Sequence, residues 1–331
     1  MLLKLSDFEY NLPKELIAQY PCAKREDARM LVVSRKTGKI EHRVFKEIAG
    51  FFKPDDLFVL NNTKVLPSRL LGRRSSGGKV EVLLLKRKSG LTFDALIKPA
   101  RLKIGEKIIF NGNSAFGTLS NRNELTFDLP DIESIYSLGV MPLPPYIKRN
   151  PEASDNIDYQ TVFAKEAGAI ASPTAGLHFS KGLLEDIQAS GIKIAHITLH
   201  VGIGTFKPVK SDDITQHRIE PEAFKVPEET IDLIAKTRSK NRLTLAVGTT
   251  VCRALETFAA GKKEGEADLF IYPGYKFKIV DCLLTNFHLP GTTLLMLVHA
   301  FVGADLAKEA YRKAIEEKYR FYSYGDCMLV I

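Results

Sequence analysis

The sequence predicts a multidomain α/β protein, in which a layered α/β main domain carries an inserted small antiparallel β-barrel. Two observations support this fold class. From residue 192 onward, strand-like and helix-like patterns alternate, which is typical of an α/β layered domain. Between residues 64 and 136, short strand-like runs are separated by turn sequences, which is typical of a small barrel or sandwich. We therefore expect a discontinuous main domain over 1–63 and 151–331, and a barrel over 64–150.

The individual elements follow from local patterns in chain order. The first third contains the strand-like runs RMLVVSR, GKIEHRVF and DLFVLNNTKVLPSRL. The barrel segment contains KVEVLLLK, LTFDALIK, KIIFNG, SAFGTLS and ELTFDL, divided by the turn sequences SSGG, SG, GNG and NRN. The proline-rich stretch at 139–156 then indicates a connection back to the main domain.

In the rest of the main domain, four runs predict strands and five predict helices. The strands are IKIAHITLHV, LTLAVG, LFIYPG and KIVDCLL. The first helix is SKGLLEDIQASG, with Ser180 as its N-cap and Gly191 at its end. The other helices are PEETIDLIAKTRS, TTVCRALETFAAG, TTLLMLVHAFVG and LAKEAYRKAIEEKYRF.

Composition excludes several classes of protein. The 331 residues are 45% hydrophobic and 26% charged, which is ordinary for a globular protein and argues against disorder. Asp7 and Glu9 come too early for a signal peptide, and no apolar run approaches the ~20 residues of a membrane span. We therefore expect a cytoplasmic protein that does not contact membranes.

The four cysteines show no metal-binding spacing. None belongs to a C-x-x-C pattern, and three closely spaced thiols are nowhere present. We expect free thiols, no metal site and no iron–sulfur cluster. The cysteines are Cys22, Cys252, Cys282 and Cys327.

Positive charge is concentrated in one part of the chain. The net charge is +8, and the segment from Lys64 to Phe110 alone contains twelve Lys or Arg against three acids. A solvated basic face is the ordinary explanation for such a run, but this concentration favours a polyanionic partner. Nucleic acid is favoured over a membrane, because no amphipathic basic helix accompanies the charge.

The stretch ASPTAGLHF, residues 171–179, combines small residues with one histidine just before a predicted helix. Gly176 permits close approach of other groups, and Pro173 biases Ser172 away from helix. Such a loop could admit a ligand, or it could serve only to pack two elements closely. His178 lies at the helix entry in either case.

Histidines and carboxylates follow in two further places. In the strand at 192–201, alternation places Ile197, Leu199 and Val201 on one face and His196, Thr198 and His200 on the other. The loop VGIGTFKPV after this strand has a G-x-G that is too short for a dinucleotide fingerprint. HRIEPEAF, which we expect to be a loop, could supply a general base or ribose ligands, or it could be a surface charge cluster. Its titratable side chains are His217, Glu220 and Glu222.

The tripeptide GTT occurs twice, at 248–250 and 291–293, and each copy precedes a predicted helix. The free N–H groups of a helix N-terminus suit a carboxylate or phosphate, whereas simple capping is the alternative. Asn286 and His288 lie just before the second copy and are candidates to line a cleft. The residues alone thus indicate a basic two-domain protein with a cleft lined by histidine and carboxylate.

Several stretches together resemble one family, the S-adenosylmethionine:tRNA ribosyltransferase-isomerases of queuosine biosynthesis. The resemblance covers nearly the whole chain and is highly specific, because the matching stretches are long and occur in the same order. They are FEYNLPKELIAQYP (8–21), DLFVLNNTKVLPSRL (57–71), GGKVEVLLL (77–85), MPLPPYIKR (141–149), YQTVFAKEAGAIASPTAGLHF (159–179), ITLHVGIGTFKPV (197–209), AVGTTVCRALE (246–256), LLTNFHLPGTTLLMLVHAF (283–301) and YSYGDCMLV near the C-terminus.

The resemblance implies an enzyme that transfers and isomerises the ribosyl part of S-adenosylmethionine. The acceptor is 7-aminomethyl-7-deazaguanine at the wobble position of tRNA, the product is epoxyqueuosine, and adenine and methionine are released. S-Adenosylmethionine is then a co-substrate, and no prosthetic group is expected. The partners are S-adenosylmethionine and tRNA, and we expect a monomer. A tRNA methyltransferase and a tRNA-binding module without catalysis are the alternatives.

With this resemblance, the candidate residues take specific roles. The predicted catalytic residues are His178, His200 and Glu222, with His217 and Glu220 in reserve. The predicted S-adenosylmethionine site contains Ser172, Pro173, Thr174, Ala175, Gly176, Gly202, Gly204, Thr205, Thr249, Thr250, Asn286, His288 and Thr292. The predicted tRNA-binding residues are Arg69, Arg73, Arg74, Lys79, Lys88, Lys98, Arg101, Lys148 and Arg149.

Two positions depart from the family's frequent pattern. Many relatives carry H-x-M-H-x-E, where this chain has His217, Ile219, Glu220 and Glu222. The role of the second histidine is therefore not carried over to Glu220 as histidine, although a carboxylate can also transfer a proton. Lys64 stands where arginine is frequent.

Overall fold

The computed structural model describes residues 3–206, 209 and 211–331, without the side chains of Asn113, Thr205 and Phe206. The strands are β1 (Arg29–Val33), β2 (Ile40–Val44), β3 (Leu57–Asn61), β4 (Thr63–Val65), β5 (Arg69–Arg74), β6 (Lys79–Ser89), β7 (Thr92–Lys98), β8 (Lys107–Phe110), β9 (Ala115–Asn121), β10 (Glu124–Asp128), β11 (Gly139–Val140), β12 (Glu166–Ala169), β13 (Lys193–Leu199), β14 (Glu222–Lys225), β15 (Thr244–Val247), β16 (Glu264–Ala267), β17 (Cys282–Asn286) and β18 (Cys327–Val330). The α-helices are α1 (Ile132–Ser137), α2 (Asp155–Asp158), α3 (Lys181–Ala189), α4 (Glu228–Ser239), α5 (Thr249–Ala259), α6 (Thr293–Val302) and α7 (Ala304–Glu316).

A nine-stranded mixed sheet forms the centre of the main domain, in the order β16-β14-β13-β3-β15-β17-β18-β1-β2. Its four central strands β13, β3, β15 and β17 are parallel to one another. The carboxyl ends of these four strands therefore lie at one edge of the sheet. Ligands of open α/β sheets bind at this edge, so a ligand site is expected there.

Helices cover both faces of the sheet, as the alternating pattern predicts. On one face α4 to α7 pack against strand residues such as Val59, Ile197 and Leu283. On the other face α3 packs against residues such as Phe58 and Leu284. All of these strand side chains are fully buried, and burying each contributes roughly 1.5–3 kcal/mol to folding. The predicted α/β layered architecture is confirmed.

The predicted antiparallel barrel is also confirmed. Six strands follow one another in the order β5-β6-β7-β10-β9-β8, and β8 pairs back onto β5 to close the barrel. Alternate side chains such as Val82, Phe93 and Leu125 fill its interior. Gly72 is needed where β5 meets β8, because a Cβ atom there would lie 2.8 Å from side-chain atoms of Ile108 and Phe110.

Several strand predictions were wrong. LFIYPG, residues 269–274, is not a strand, because the edge of the sheet next to β14 is already occupied by β16. Ile271 is instead buried from an irregular segment. HRIEPEAF is not entirely a loop, since Glu222 begins β14. The strands β16 and β18 were missed. Within the described ranges, no helix is long and apolar enough to cross a membrane.

Candidate active site

A cleft lies at the carboxyl edge of the four parallel strands, and we call it the edge cleft. Loops after β13, β15 and β17, the stretch after β12 and the segment before β18 form its walls. Among the described residues, its lining contains no Asp, Glu, Lys or Arg. The lining residues are Tyr146, Ala171, Ser172, Pro173, Thr174, Ala175, Val201, Gly248, Thr249, Thr250, Thr285, Asn286, Phe287, His288, Leu289, Thr292, Leu294, Tyr322 and Ser323.

Most of the predicted S-adenosylmethionine-binding residues line the edge cleft. They are Ser172, Pro173, Thr174, Ala175, Thr249, Thr250, Asn286, His288 and Thr292. Gly176 is not among the lining residues. It packs closely against Phe163, since a Cβ atom there would lie 2.8 Å from the Phe163 ring. Gly202 and Gly204 lie on the loop after Val201, beside Glu222 and Glu220 respectively. The side chain of Thr205 lies outside the described part of the chain.

The small-residue loop after β12 folds into a tight turn over the edge cleft. Pro173 precedes a short 3-10 helix over Thr174–His178, and its carbonyl accepts from Gly176 N over 2.8 Å. Ser172 is buried, and its hydroxyl finds no partner within the described residues. A buried hydroxyl without a partner costs stability, so Ser172 Oγ has unused hydrogen-bonding capacity beside the edge cleft.

Asn286 connects the edge cleft to His178. Its Oδ1 accepts from the Thr174 hydroxyl over 2.8 Å, and its Nδ2 lies 3.3 Å from both the Asp326 carbonyl and His178 Nε2. A carbonyl oxygen only accepts hydrogen bonds, so the Asn286 amide must point its nitrogen toward Asp326 and His178. His178 Nε2 then accepts from this nitrogen and carries no proton. Burial lowers the pKa of His178 to about 3, and Arg320 and Arg25 add to this effect. His178 is therefore a neutral imidazole with its proton on Nδ1.

His288 is held on three sides at the base of the edge cleft. Its Nε2 lies 2.6 Å from the Thr285 hydroxyl. Its backbone N–H donates to Tyr311 Oη over 3.0 Å, and its carbonyl accepts from the Tyr10 hydroxyl. Burial lowers the pKa of His288 to about 3. His288 is thus a second neutral imidazole, fixed in orientation.

The two GTT helix ends differ in their capping. At α6, the Thr292 side chain accepts from Leu295 N and caps the helix. At α5, the N-cap is Gly248, which has no side chain to cap the helix. Since Thr249 and Thr250 line the edge cleft, the uncapped N–H groups and positive dipole end of α5 are available to an anionic group. Simple capping describes the second GTT but not the first.

His200 lies beside the edge cleft rather than in its lining. It follows β13, directly before Val201, and its Nδ1 is 2.8 Å from the Thr63 hydroxyl. The predicted alternation of β13 is confirmed, because Ile197, Leu199 and Val201 are buried while His196 and His200 are less so. Burial lowers the pKa of His200, although Glu166 opposes the effect.

The other predicted catalytic residues also lie behind the lining. Glu222 is buried and forms an ion pair with Arg253 over 2.8 Å. His217 packs edge-on against Phe270 with 5.4 Å between ring centroids, and Glu220 lies beside Gly204. None of the five catalytic candidates lines the edge cleft, but His178 contacts its lining through Asn286, and His200 and Glu222 flank the loop that starts at Val201. No group of three or more His, Cys, Asp or Glu that could hold a metal ion occurs in the part of the chain that the structure describes.

Tyr146, Tyr322 and Ser323 are among the lining residues that the sequence did not predict. The Tyr146 hydroxyl lies 2.6 Å from Ser323 Oγ, and the rings of Tyr146 and Tyr322 are 4.7 Å apart. Tyr322 has a φ of 70°, a left-handed conformation that is uncommon for non-glycine residues. Signals were available in MPLPPYIKR and YSYGDCMLV, where a lone aromatic follows prolines and two tyrosines bracket a serine.

A second depression, which we call the basic groove, runs between the barrel and residues 142–150. It has a volume of about 490 Å³, an apolar floor that includes Leu83 and Leu143, and four of the predicted tRNA-binding residues in its walls. Those four are Arg69, Lys98, Lys148 and Arg149. Its lining includes Ile170, Pro145 and Ile147, which are the chain neighbours of Ala171 and Tyr146 in the edge cleft. The two linings are therefore adjacent along the chain at residues 145–147 and 170–171.

The remaining predicted tRNA-binding residues lie on the barrel. Arg73, Arg74 and Lys79 line a concavity that shares Lys98 with the basic groove. Lys88 and Arg101 line neither depression. Several of these cations are paired with acids, so they are partly neutralised: Arg69 with Glu81, Arg74 with Glu106, Lys88 with Glu124 and Arg149 with Asp155. Within the described residues, Arg73, Lys79, Lys98, Arg101 and Lys148 form no such pair.

Comparisons with known proteins agree with this geometry. A family profile described as "Queuosine biosynthesis protein" matches residues 5–330. An S-adenosylmethionine:tRNA ribosyltransferase-isomerase of Sulfurihydrogenibium sp. (strain YO3AOP1) is 52% identical over 99% of this chain and 100% of its own length. The protein of that name from Aquifex aeolicus is 46% identical with the same coverage.

A solved structure is similar over the same extent. The crystal structure of an S-adenosylmethionine tRNA ribosyltransferase from Thermotoga maritima is 36% identical, covers 98% of this chain and 100% of that chain, and has a TM-score of 0.57. Both the sequence matches and this structure extend across the main domain and the barrel. The chain therefore belongs to the family of queuosine biosynthesis proteins.

Proposed function

We propose that this protein is an S-adenosylmethionine:tRNA ribosyltransferase-isomerase. It transfers and isomerises the ribosyl part of S-adenosylmethionine onto 7-aminomethyl-7-deazaguanine at the wobble position of tRNA, giving epoxyqueuosine, adenine and methionine. The observation that carries the proposal is the 52% identity to a relative of that name over 99% of this chain. The domain division at 64 and 150, a monomeric state and a cytoplasmic location belong to the same proposal.

The chemistry of the edge cleft suits the donor. The uncapped N-terminus of α5 at Gly248–Thr250 binds the methionine carboxylate, and the Ser172 hydroxyl bonds a further polar group. The lining that the structure describes holds no charged side chain, and the faces of Tyr146 and Tyr322 attract a cation such as the sulfonium. The described residues of the cleft therefore offer dipoles and aromatic faces to S-adenosylmethionine.

The size of the edge cleft divides the donor between two depressions. The enclosed space is about 70 Å³, far below the roughly 300–1,000 Å³ of a pocket that encloses a whole small ligand. In this conformation the cleft takes the methionine end, and the ribose and adenine extend past Tyr146 toward the basic groove. The reacting ribose then lies between the edge cleft and the basic groove.

The basic groove brings the acceptor to that point. Lys98 and Lys148 attract phosphates, and the apolar floor contacts an unstacked base. The barrel concavity with Arg73 and Lys79 extends this positive surface. The aminomethyl group of the wobble base thus enters from the groove, on the side where the donor ribose is exposed.

The chemistry begins with removal of a C5′ proton, which the adjacent sulfonium makes acidic. Adenine then leaves, the acceptor amine attacks, and formation of the epoxide expels methionine. A base must be unprotonated at neutral pH. Burial keeps His178 and His200 in this form, but a pKa of about 3 also makes His178 a weak base. Both stay in the proposed proton-transfer set. His217 and Glu220 complete the proposed set, and the role of Glu222 follows from its ion pair with Arg253.

Mass spectrometry of the tRNA tests the proposal directly. Purified enzyme is incubated with S-adenosylmethionine and tRNA carrying 7-aminomethyl-7-deazaguanine, and tRNA with an ordinary guanine at the same position is the control. The expected result is a ribosyl-derived mass increment on the first tRNA only, with release of adenine and methionine. A methyl increment would make the protein a methyltransferase, and an unchanged tRNA would leave only a binding module.

A further inference from the structure

A buried ion pair connects two walls of the edge cleft. Arg253 lies one turn into α5, whose N-terminus lines the cleft, and Glu222 begins β14. Nη1 of Arg253 donates to Oε2 of Glu222 over 2.8 Å, and each side chain is only 4% exposed. The backbone N–H of Gly202 donates to Oε1 of the same carboxylate over 2.7 Å. One carboxylate therefore joins α5 to the loop that follows β13.

The hydrogen bond from Gly202 N–H to the Glu222 carboxylate replaces a backbone hydrogen bond at the point where β13 and β14 separate. The N–H of His200 donates to the Ala223 carbonyl over 2.9 Å, continuing the pairing of β13 with β14. Two residues later, the Glu222 side chain and not a carbonyl receives the N–H of Gly202. Val201 lies between these two anchored positions and lines the edge cleft. Its position therefore depends on where the Glu222 carboxylate is held.

Arg253 orients that carboxylate. Its Nη2 donates to the Ala267 carbonyl of β16 over 3.1 Å, so the guanidinium is fixed at two points. A buried ion pair adds little net stability, because desolvation offsets the attraction and apolar side chains of similar volume often serve equally well. The specific consequence of this pair is the geometry that it imposes on Gly202.

We propose that Arg253 is a positioning residue for the donor site. Acting through Glu222, it holds Gly202 and the adjoining Val201 against the N-terminus of α5, and this arrangement sets the affinity for the donor. The identity of the donor as S-adenosylmethionine rests on the proposed function. In this arrangement Glu222 contributes through the loop and does not serve as a base.

The test compares Arg253→Lys and Glu222→Gln with the wild-type enzyme. We expect either substitution to raise the KM and the calorimetric Kd for S-adenosylmethionine about ten-fold, which corresponds to about 1.4 kcal/mol. The kcat should stay within about three-fold, because the loop acts on donor binding and not on the chemical step. Hydrogen exchange of the Gly202 amide should become faster in both variants.

Two further variants separate this role from general stability. Glu222→Leu with Arg253→Met removes both charges and keeps the packing, so it should fold even if a single variant does not, yet it should show the same rise in KM. Arg242→Lys is the matched control, because Arg242 pairs with buried Asp56 over 3.0 Å at the opposite, amino-terminal edge of β3. It should leave the KM unchanged.

Two results would overturn the inference. One is a large loss of kcat in Glu222→Gln with unchanged KM and unchanged Gly202 exchange, which would make Glu222 a base. The other is wild-type behaviour of all the Glu222 and Arg253 variants. If wild-type enzyme fails to bind S-adenosylmethionine, the proposed function fails, and the Gly202 exchange rates still decide whether Arg253 positions the loop.

Discussion

The amide nitrogen of Asn286 lies 3.3 Å from Nε2 of His178, and this contact determines the protonation of the histidine. The Asp326 carbonyl on the same side of the amide requires the nitrogen there. His178 is consequently a hydrogen-bond acceptor at Nε2, and its only proton is on Nδ1. A neutral imidazole in this form accepts a proton only after Asn286 moves away.

Replacing Asn286 by Asp should reverse the protonation of His178. A carboxylate at this position accepts from Nε2–H and favours the charged imidazolium, so the pKa of His178 should rise from about 3 toward or above its ordinary value. Histidine 15N NMR measures both the tautomer and the pKa. Thr174→Val is the matched control, because it removes a contact of Asn286 but leaves a neutral amide. A protonated Nε2 in the wild type at neutral pH would contradict the amide assignment.

The protein should lose stability in mild acid because it buries neutral histidines. Burial lowers the pKa of His178 and His288 to about 3 and that of His299 to about 4. These values lie below the ordinary value of 6.5, so the unfolded chain binds protons first. The stabilising contribution is complete above about pH 6.5 and is lost as the pH falls toward 4, by up to about 1.4 kcal/mol per pH unit for each histidine.

Urea unfolding near pH 7 and near pH 5 measures this loss. The free energy of unfolding of His299→Gln should depend less on pH, by about the contribution of one titrating histidine. His299 packs against Phe8 away from the edge cleft, so the substitution removes only this titration. Equal pH dependence in the wild type and this variant would show that His299 is not a buried neutral group.

The N-terminus of α5 should bind the donor through its backbone. Thr249 is the first residue of the helix, where proline is tolerated but has no N–H to donate. Thr249→Pro should weaken S-adenosylmethionine binding about ten-fold to a hundred-fold, as expected for a lost charge-assisted hydrogen bond. Thr249→Val keeps the N–H and is the control. Calorimetry with decarboxylated S-adenosylmethionine should show no difference between the variants, and a difference there would place the carboxylate elsewhere.

Charge reversal in the basic groove should weaken tRNA binding. Lys98 lines both the groove and the barrel concavity. Lys98→Glu should therefore lower the affinity for tRNA, and the slope of log K against log salt concentration should fall by about the amount that one phosphate contact contributes. Lys236→Glu on the exposed side of α4 is the control. Filter binding over a range of salt concentrations measures both quantities, and equal slopes for the two variants would move the tRNA to another surface.

Local sequence patterns were enough to predict the strands and helices that have strong periodicity or clear turns. The barrel strands and the helices α3 to α7 were predictable because capping residues and alternation mark them within a few positions. β16, with the sequence EGEA, has no intrinsic preference for a strand and exists because β14 offers it an edge. LFIYPG has that preference but no partner. Pairing across the sheet decided both cases, and no single segment contains that information.

The candidate site was predictable to a similar extent. Residues on the loops after strands, such as Thr249 and Asn286, were found because parallel strands bring their carboxyl ends together. Tyr146 and Ser323 were missed because they meet across 177 positions of chain. The pairing of Glu222 with Arg253 was also missed, since it joins a strand to a helix and follows no spacing rule.

The central strand β3 pairs with segments that are synthesised much later. Val59 lies opposite Ala195 on one side and Ala246 on the other, whereas the barrel closes through contacts between residues 69 and 128. On a ribosome the barrel can close while β3 still lacks both neighbours. The apolar strand then needs shielding until β13 and β15 emerge, and assembly of the main sheet should be the slow, aggregation-prone stage of folding.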